Sequence, residues 1–168
     1  MLSKNGTLRF HEARKDSFQA LAAILNHYVL HTTFTFHIKE LSAGDMEGKL
    51  LFNDSRFQSW VISQEDRIIG YCSLGPWKKQ EAYAATSEIS IYFDQTCVSK
   101  GHGTSAMHFL LEQARERGIN NLIAGVSGEN SQSLAFFEKN GFRRCAHFQK
   151  VGQKFGRDLD TVYLQRLI

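Results

Sequence analysis

The sequence predicts an α/β fold, with helices flanking a mixed sheet in a single domain. Three observations carry that prediction. A strand–helix–strand–helix–strand alternation runs from Tyr83 to Val151, the pattern of crossover units packed on a sheet. The length of 168 residues suits one domain with a real core. Hydrophobic residues make up 42% and charged residues 22%, a globular mix that excludes disorder and collagen-like repeats.

Each element has its own signal. Thr7 to Glu12 reads as a short first strand. Asp16 offers an N-cap with Gln19 three residues on, and Phe18, Leu21, Ala22, Leu25 and Tyr28 follow at helical period to about Tyr28. His31 to Phe36 is β-branched and aromatic, but too short to assign as a strand. Ser42 with Asp45 opens a second helix to about Phe52. Phe57 to Ser63 and Ile68 to Leu74 flank a polar turn and read as a hairpin, punctuated by Gly75-Pro76. Tyr83 to Phe93 is a longer strand, with Ile89, Ile91 and Phe93 on one face and Glu88, Ser90 and Tyr92 on the other. Thr104 to Arg117 is an amphipathic helix ended by Gly118. Leu122 to Val126 is an apolar strand, Ser131 to Lys139 a helix, and Cys145 to Val151 and Thr161 to Leu167 the closing strands.

Charge and cysteine usage narrow the function classes. Twenty Lys and Arg against 17 Asp and Glu leave +3, too small and dispersed an excess for a nucleic-acid surface. An anionic small ligand suits it better. Cys72, Cys97 and Cys145 are odd in number, lack metal-ligand spacing, and sit in apolar or alternating runs as small hydrophobes. The seven histidines form no His-Glu-x-x-His group, so no metal site is expected. Met1 to Phe10 carries no signal-like apolar core, and no run approaches membrane-spanning length. A reduced cytoplasmic protein without nucleic-acid or membrane partners is the expectation.

One turn invites chemistry. Ser99-Lys100-Gly101-His102-Gly103-Thr104 joins a strand to a helix start. Small residues there let peptide N–H groups approach an anion, and the helix dipole adds partial positive charge. Gly101 and Gly103 equally suit a tight turn with no ligand, and the turn alone leaves both readings open. It is neither a Walker A loop nor a dinucleotide fingerprint.

Its neighbours supply more. The strand Glu88 to Phe93, the Gly101/Gly103 turn, Asn130-x-x-Ser133 and Phe137-Glu138-Lys139-Asn140-Gly141-Phe142 follow one another in the order and spacing of the GNAT superfamily of N-acetyltransferases, which this chain resembles. Thr33 to Phe36, Gly75-Pro76-Trp77-Lys78, Ala82-Tyr83, Thr86-Ser87-Glu88, Tyr92 and Val151 to Arg157 with Asp160 resemble its phosphinothricin N-acetyltransferase branch. The resemblance spans roughly Leu8 to Leu167. It implies a GNAT-like, mostly antiparallel central sheet, acetyl-CoA as cosubstrate, a small amino-acid-like amine as acceptor, and a homodimer.

The resemblance also assigns roles. Glu88 takes the base position, where a carboxylate accepts the ammonium proton before attack on the thioester; Ile89 and Ile91 are expected to make its surroundings apolar. Ile91, Tyr92, Phe93, Val98, Ser99, Lys100, Gly101, His102, Gly103, Thr104, Asn130, Ser133 and Phe137 are the implied cofactor positions, and Phe34, Phe36, Trp77, Lys78, Tyr83, Glu88 and Lys154 the implied substrate positions. Three departures stand out. Val98-Ser99 replaces an Arg-Gly pair, Gln80 replaces an arginine, and Phe137 stands where the family has imidazole or phenol. Phenylalanine cannot protonate a departing thiolate, which leaves water or Tyr92 as the substitute. The rival readings are acetylation of another amine class, such as a polyamine or a protein N-terminus, and a CoA-binding sensor without catalysis.

Overall fold

The computed structural model describes residues 7–98 and 101–168. In chain order the described elements are β1 (Leu8–Glu12), α1 (Phe18–His31), α2 (Ala43–Leu50), β2 (Gln58–Gln64), β3 (Arg67–Pro76), β4 (Thr86–Phe93), α3 (His102–Glu116), β5 (Asn121–Ser127), α4 (Ser131–Lys139), β6 (Arg143–Lys154) and β7 (Arg157–Leu167). The strands form one seven-stranded sheet in the order β1-β2-β3-β4-β5-β7-β6. Only β4 and β5 pair in parallel; every other neighbouring pair is antiparallel. The Tyr83–Val151 alternation therefore supplies a single parallel crossover, through α3. The chain leaves α4 for the sheet edge, and β7 folds back between β6 and β5.

Alternation along the strands feeds two cores. On one face Cys72, Leu74, Ile89 and Phe93 pack with Met107, Leu110 and Leu111 of α3 and Leu134 and Phe137 of α4. On the other, Val61 and Tyr71 pack with Phe18, Leu21, Leu25 and Val29 of α1 and Met46 and Leu50 of α2. Phe18, Leu21 and Leu25 are at most 1% exposed, and each such side chain contributes about 1.5–3 kcal/mol by leaving water.

Local chemistry explains where the elements begin and end. Ser42 caps α2, accepting the Asp45 N–H at 3.1 Å, while Asp45 accepts the Ser42 N–H at 2.8 Å. Asp16 is not the cap of α1. It lies inside a 3-10 turn, Lys15–Ser17, where the Ser17 hydroxyl exchanges hydrogen bonds with the Arg14 backbone. Helix α1 runs on to His31, and Thr32 ends it by returning its hydroxyl to the Tyr28 carbonyl at 2.8 Å. Helix α2 stops at Leu50 rather than Phe52. Tyr83 belongs to a 3-10 turn, Glu81–Tyr83, so β4 starts at Thr86. Phe155 and Gly156 both have positive φ, 53° and 74°, between the paired Lys154 and Arg157, the two-residue turn that matches strand twist. Gly152 lies within β6 beneath the Phe36 ring. Cys72 and Cys97 are buried, whereas Cys145 is exposed on edge strand β6, where no second layer covers it. Among the described residues no helix is long and apolar enough to cross a membrane.

Candidate active site

The parallel pair creates the site. Thr86, Ser87 and Glu88 pair with Asn121, Leu122 and Ile123; beyond that the two strands part, although β4 continues to Phe93 and β5 to Ser127. The Asp94 N–H donates to Ile69 O of β3 at 2.8 Å, so by alternation the peptide groups of Ile89, Ile91 and Phe93 point away from β3 into the gap. These peptide groups, of which Phe93 O is taken by the Tyr28 hydroxyl and the Ile89 N–H by the last rung of the β4–β5 ladder, line a cleft with Tyr92, Val98, Gly101, His102, Gly103, Thr104, Gly125, Asn130, Ser133, Phe136 and Phe137. Eleven of the thirteen expected cofactor positions are among its lining. The other two, Ser99 and Lys100, lie outside the described residues.

Helix α3 opens toward this cleft at His102, two residues before the expected Thr104. Gly101 is its N-cap at φ 81°, a left-handed conformation that suits glycine. Gly103 is small for a different reason: a Cβ there would sit 3.1 Å from Phe136 Cε2. His102 turns inward, buried against the Phe93 ring. Asn130 caps α4 by accepting the Ser133 N–H at 3.0 Å. Phe137 is 7% exposed and packs edge-on against Phe136 and Phe142, so it serves the core while closing the cleft floor.

Glu88 lies where the gap begins, but not among Ile89 and Ile91. Those two face the α3–α4 core, because adjacent strand residues point to opposite sides. The carboxylate reaches across β5: its Oε1 is 3.5 Å from where a Cβ on Gly125 would stand, and the Tyr163 Cε1 is 3.1 Å from the same point. Burial raises the Glu88 pKa, opposed by the charges of Lys49 and Lys78. Trp77 packs edge-on against Tyr163 at 5.3 Å, Phe148 does so at 5.9 Å, and the Lys78 ammonium lies 5.0 Å over the Trp77 ring. Of the expected substrate positions, Glu88, Trp77 and Lys78 thus come together, and Phe34 lines the cleft.

The rest divide. Phe36 covers Gly152. Lys154 is 3% exposed and donates from Nζ to Thr35 O at 2.9 Å, a buried cation holding a loop. Tyr83 is 44% exposed on its 3-10 turn, and its side chain makes no hydrogen bond or ring contact among the described residues. The Tyr92 ring stacks on Tyr71 and meets Tyr28 edge-on. Burial raises its pKa, with a hydrogen bond to Thr35 opposing the rise and Glu88 adding to it. Tyr28 donates its hydroxyl to Phe93 O at 2.7 Å, and burial helps push its pKa up to about 12.

A polar strap secures the loop bearing Phe34. The Thr33 hydroxyl donates to Glu129 Oε2 at 2.7 Å, and Arg157 grips the same carboxylate with Nη1 at 2.6 Å and Nη2 at 3.0 Å. Three distant segments meet there, and Glu129 directly precedes Asn130 of the cleft. Glu129→Ala is expected to free the loop, raising the rate of proteolytic nicking between Thr32 and His37 several-fold while the global unfolding temperature moves little.

Sequence reasoning missed Gly125, Tyr163, Lys49 and Glu129. A glycine inside a strand signals close approach, and Gly125 carried that signal. Nothing local marks the other three, since their partners lie far along the chain.

The description "Acetyltransferase (GNAT) family" matches residues 21–142. The chain is 31% identical over 163 residues to the L-amino acid N-acyltransferase MnaT of Escherichia coli (strain K12), covering 95% of this chain and 92% of that one. Identity and coverage are the same for the L-methionine sulfoximine/L-methionine sulfone acetyltransferase of Salmonella typhimurium. Among solved structures, YncA of Salmonella typhimurium with its cofactor acetyl-CoA superimposes with a TM-score of 0.85 at 27% identity, over 95% of this chain and 93% of that chain.

Proposed function

The chain belongs to the GNAT acetyltransferase family, and from that premise we propose that it moves the acetyl group of acetyl-CoA directly to the α-amine of an amino acid or amino-acid-like compound. The observation that carries this reading is the parting of β4 from β5, which leaves the peptide group of Ile91, the Ile89 carbonyl and the Phe93 N–H without a strand partner between a helix N-terminus and a carboxylate. An extended chain of amides ending in a pyrophosphate fits that row. The free strand edge pairs with the amides, and the N–H groups at Gly101 and Gly103, with the α3 dipole, receive the anion. Ser99 and Lys100 belong to the same loop in this reading.

Acetyl-CoA, when bound, supplies an activated acyl thioester. The protein's own groups do the rest. Ile89, Ile91 and Phe93 hold the donor through their peptide groups, and Asn130, Ser133 and Phe137 close its far side. Glu88 takes the proton that an amino acid's ammonium must lose before it attacks. Lys78 and Lys49, the cations that Glu88 feels, receive the acceptor's carboxylate in place of the arginine that Gln80 replaces. Trp77 and Phe34 wall the acceptor, and Lys154 positions the Phe34 loop. The names of the two relatives, acting on L-amino acids and on methionine sulfoximine or sulfone, support this acceptor class. The same reading includes a cytoplasmic homodimer without nucleic-acid or membrane partners. Phe148, Val151 and Phe155, exposed on or beside edge strand β6, support self-association.

Thiol release from acetyl-CoA across an amine panel tests the proposal. Turnover is expected with zwitterionic amino acids and methionine sulfone, and not with polyamines or peptides. Turnover confined to peptides or polyamines would overturn the acceptor class, and CoA binding without thiol release on any amine would overturn the enzyme reading.

The base also sets a pH profile. Because burial raises the Glu88 pKa, its base form fills only above the ordinary carboxylate range. The logarithm of kcat/KM is expected to rise through that raised value, in a limb that keeps its position when the acceptor's amine pKa is varied.

A further inference from the structure

We propose that the Tyr163 phenol donates the proton taken up by the departing thiolate. The proposal rests on the transferase reading above and adds a second proton-handling group to it. Phe137 has no proton to give and is packed into the core by Phe136 and Phe142. Of the two tyrosines lining the cleft, Tyr28 commits its hydroxyl to Phe93 O, and Tyr92 turns its hydroxyl to Thr35 and is clamped between Tyr28 and Tyr71. Both hydroxyls are thus already engaged.

Tyr163 pairs with Gly125 across β5 and β7. Its Cζ, which bears the hydroxyl, is 3.6 Å from where a Gly125 Cβ would stand, and Glu88 Oε1 is 3.5 Å from that same point. Gly125 itself lines the cleft. The missing side chain at Gly125 therefore lets the phenol ring and the carboxylate come together against one point of the cleft wall. Trp77 and Phe148 hold the Tyr163 ring edge-on from outside, fixing its orientation. Burial and the Glu88 charge both raise the phenol's pKa, which keeps its proton in place at neutral pH, so that it can be passed to sulfur as the C–S bond breaks only while the proton leaving nitrogen replaces it.

The proton count closes. The ammonium loses two protons in becoming the amide. Glu88 accepts the first, freeing the nitrogen lone pair to form the N–C bond. As the C–S bond breaks with its electron pair on sulfur, Tyr163 gives sulfur its proton, and the second proton leaving nitrogen restores the phenol. Glu88 then returns its proton to solvent, so one proton is released per turnover.

Tyr163→Phe keeps the ring and its packing, which separates proton donation from structure. The variant is expected to lose roughly 100-fold in kcat, the low end of general-acid contributions, with KM for the acceptor unchanged, and the loss is expected to shrink with an acyl thioester whose thiol is more acidic. A binding readout runs in parallel. Calorimetry is expected to show wild type binding CoA roughly 2- to 10-fold more tightly than desulfo-CoA, and Tyr163→Phe binding the two alike. Unchanged kcat overturns the donor role. So does a fall in kcat with the preference for sulfur intact, which would mark a structural effect. Wild type that binds neither CoA nor desulfo-CoA would overturn the transferase reading itself.

Discussion

Glu88→Gln is expected to lower kcat by roughly 10²- to 10⁴-fold, the range of general-base catalysis, while acetyl-CoA affinity stays within about twofold of wild type. The substitution keeps the side chain's size at the Gly125 gap and removes only its ability to take a proton. Steady-state kinetics with calorimetric acetyl-CoA binding separates the two effects. Stability provides a control. A carboxyl whose folded pKa is raised contributes stability that is complete below its ordinary pKa and is lost as pH rises through the raised value. At neutral pH the ionised Glu88 has nothing left of that contribution to lose, so the unfolding temperature of Glu88→Gln should not fall below wild type. A large fall in unfolding temperature would show that the lost turnover comes from misfolding.

Gly70→Ala is the second large effect, this time on the scaffold. A Cβ at Gly70 would stand 2.5 Å from Tyr92 O and 2.8 Å from Phe93 Cδ1. The nearer atom is backbone, so rotamer change cannot relieve the clash and β4 itself must move. Overpacking of this kind costs about 1–3 kcal/mol, and each kcal/mol lowers Tm by roughly 2–4 °C in a chain of this size. Tyr92 and Phe93 line the cleft, so acetyl-CoA affinity is expected to fall along with Tm. A normal Tm measured by calorimetry would contradict the tight β3–β4 contact.

These two positions also show how differently the molecule can be read. The helical periods of α1, α3 and α4 and the cap at Ser42 are local signals, and sequence recovered them to within a few residues. Strand partnership is not local. Nothing in Leu122–Val126 tells that it pairs with the last strand rather than the next one, so the single parallel crossover and the cleft beside it emerge only in three dimensions. Glu88 was legible because the motifs around it resemble a family; its alternation alone gives a surface carboxylate. The direction of its burial was misread, since Ile89 and Ile91 face the opposite core and the carboxylate instead reaches over Gly125. Tyr163 and Glu129 act through contacts with residues distant in the chain, and no window of sequence contains both partners. Lys154 shows the converse: a family-like position read as charge for a substrate is buried and holds the loop at Thr35.

The central claim is that the two reactants meet in one cleft, the thioester along β4 and the amine at Glu88, and exchange the acetyl group without a protein-bound intermediate. Cys97, which lines the same cleft, is the one thiol there among the described residues that offers a covalent alternative. Initial velocities with acetyl-CoA and an amino-acid acceptor both varied separate the two routes. Direct transfer predicts double-reciprocal lines that intersect, because both substrates must be bound before thiol is released. Parallel lines, together with a burst of thiol in the absence of acceptor, would show an acetylated enzyme and contradict the account.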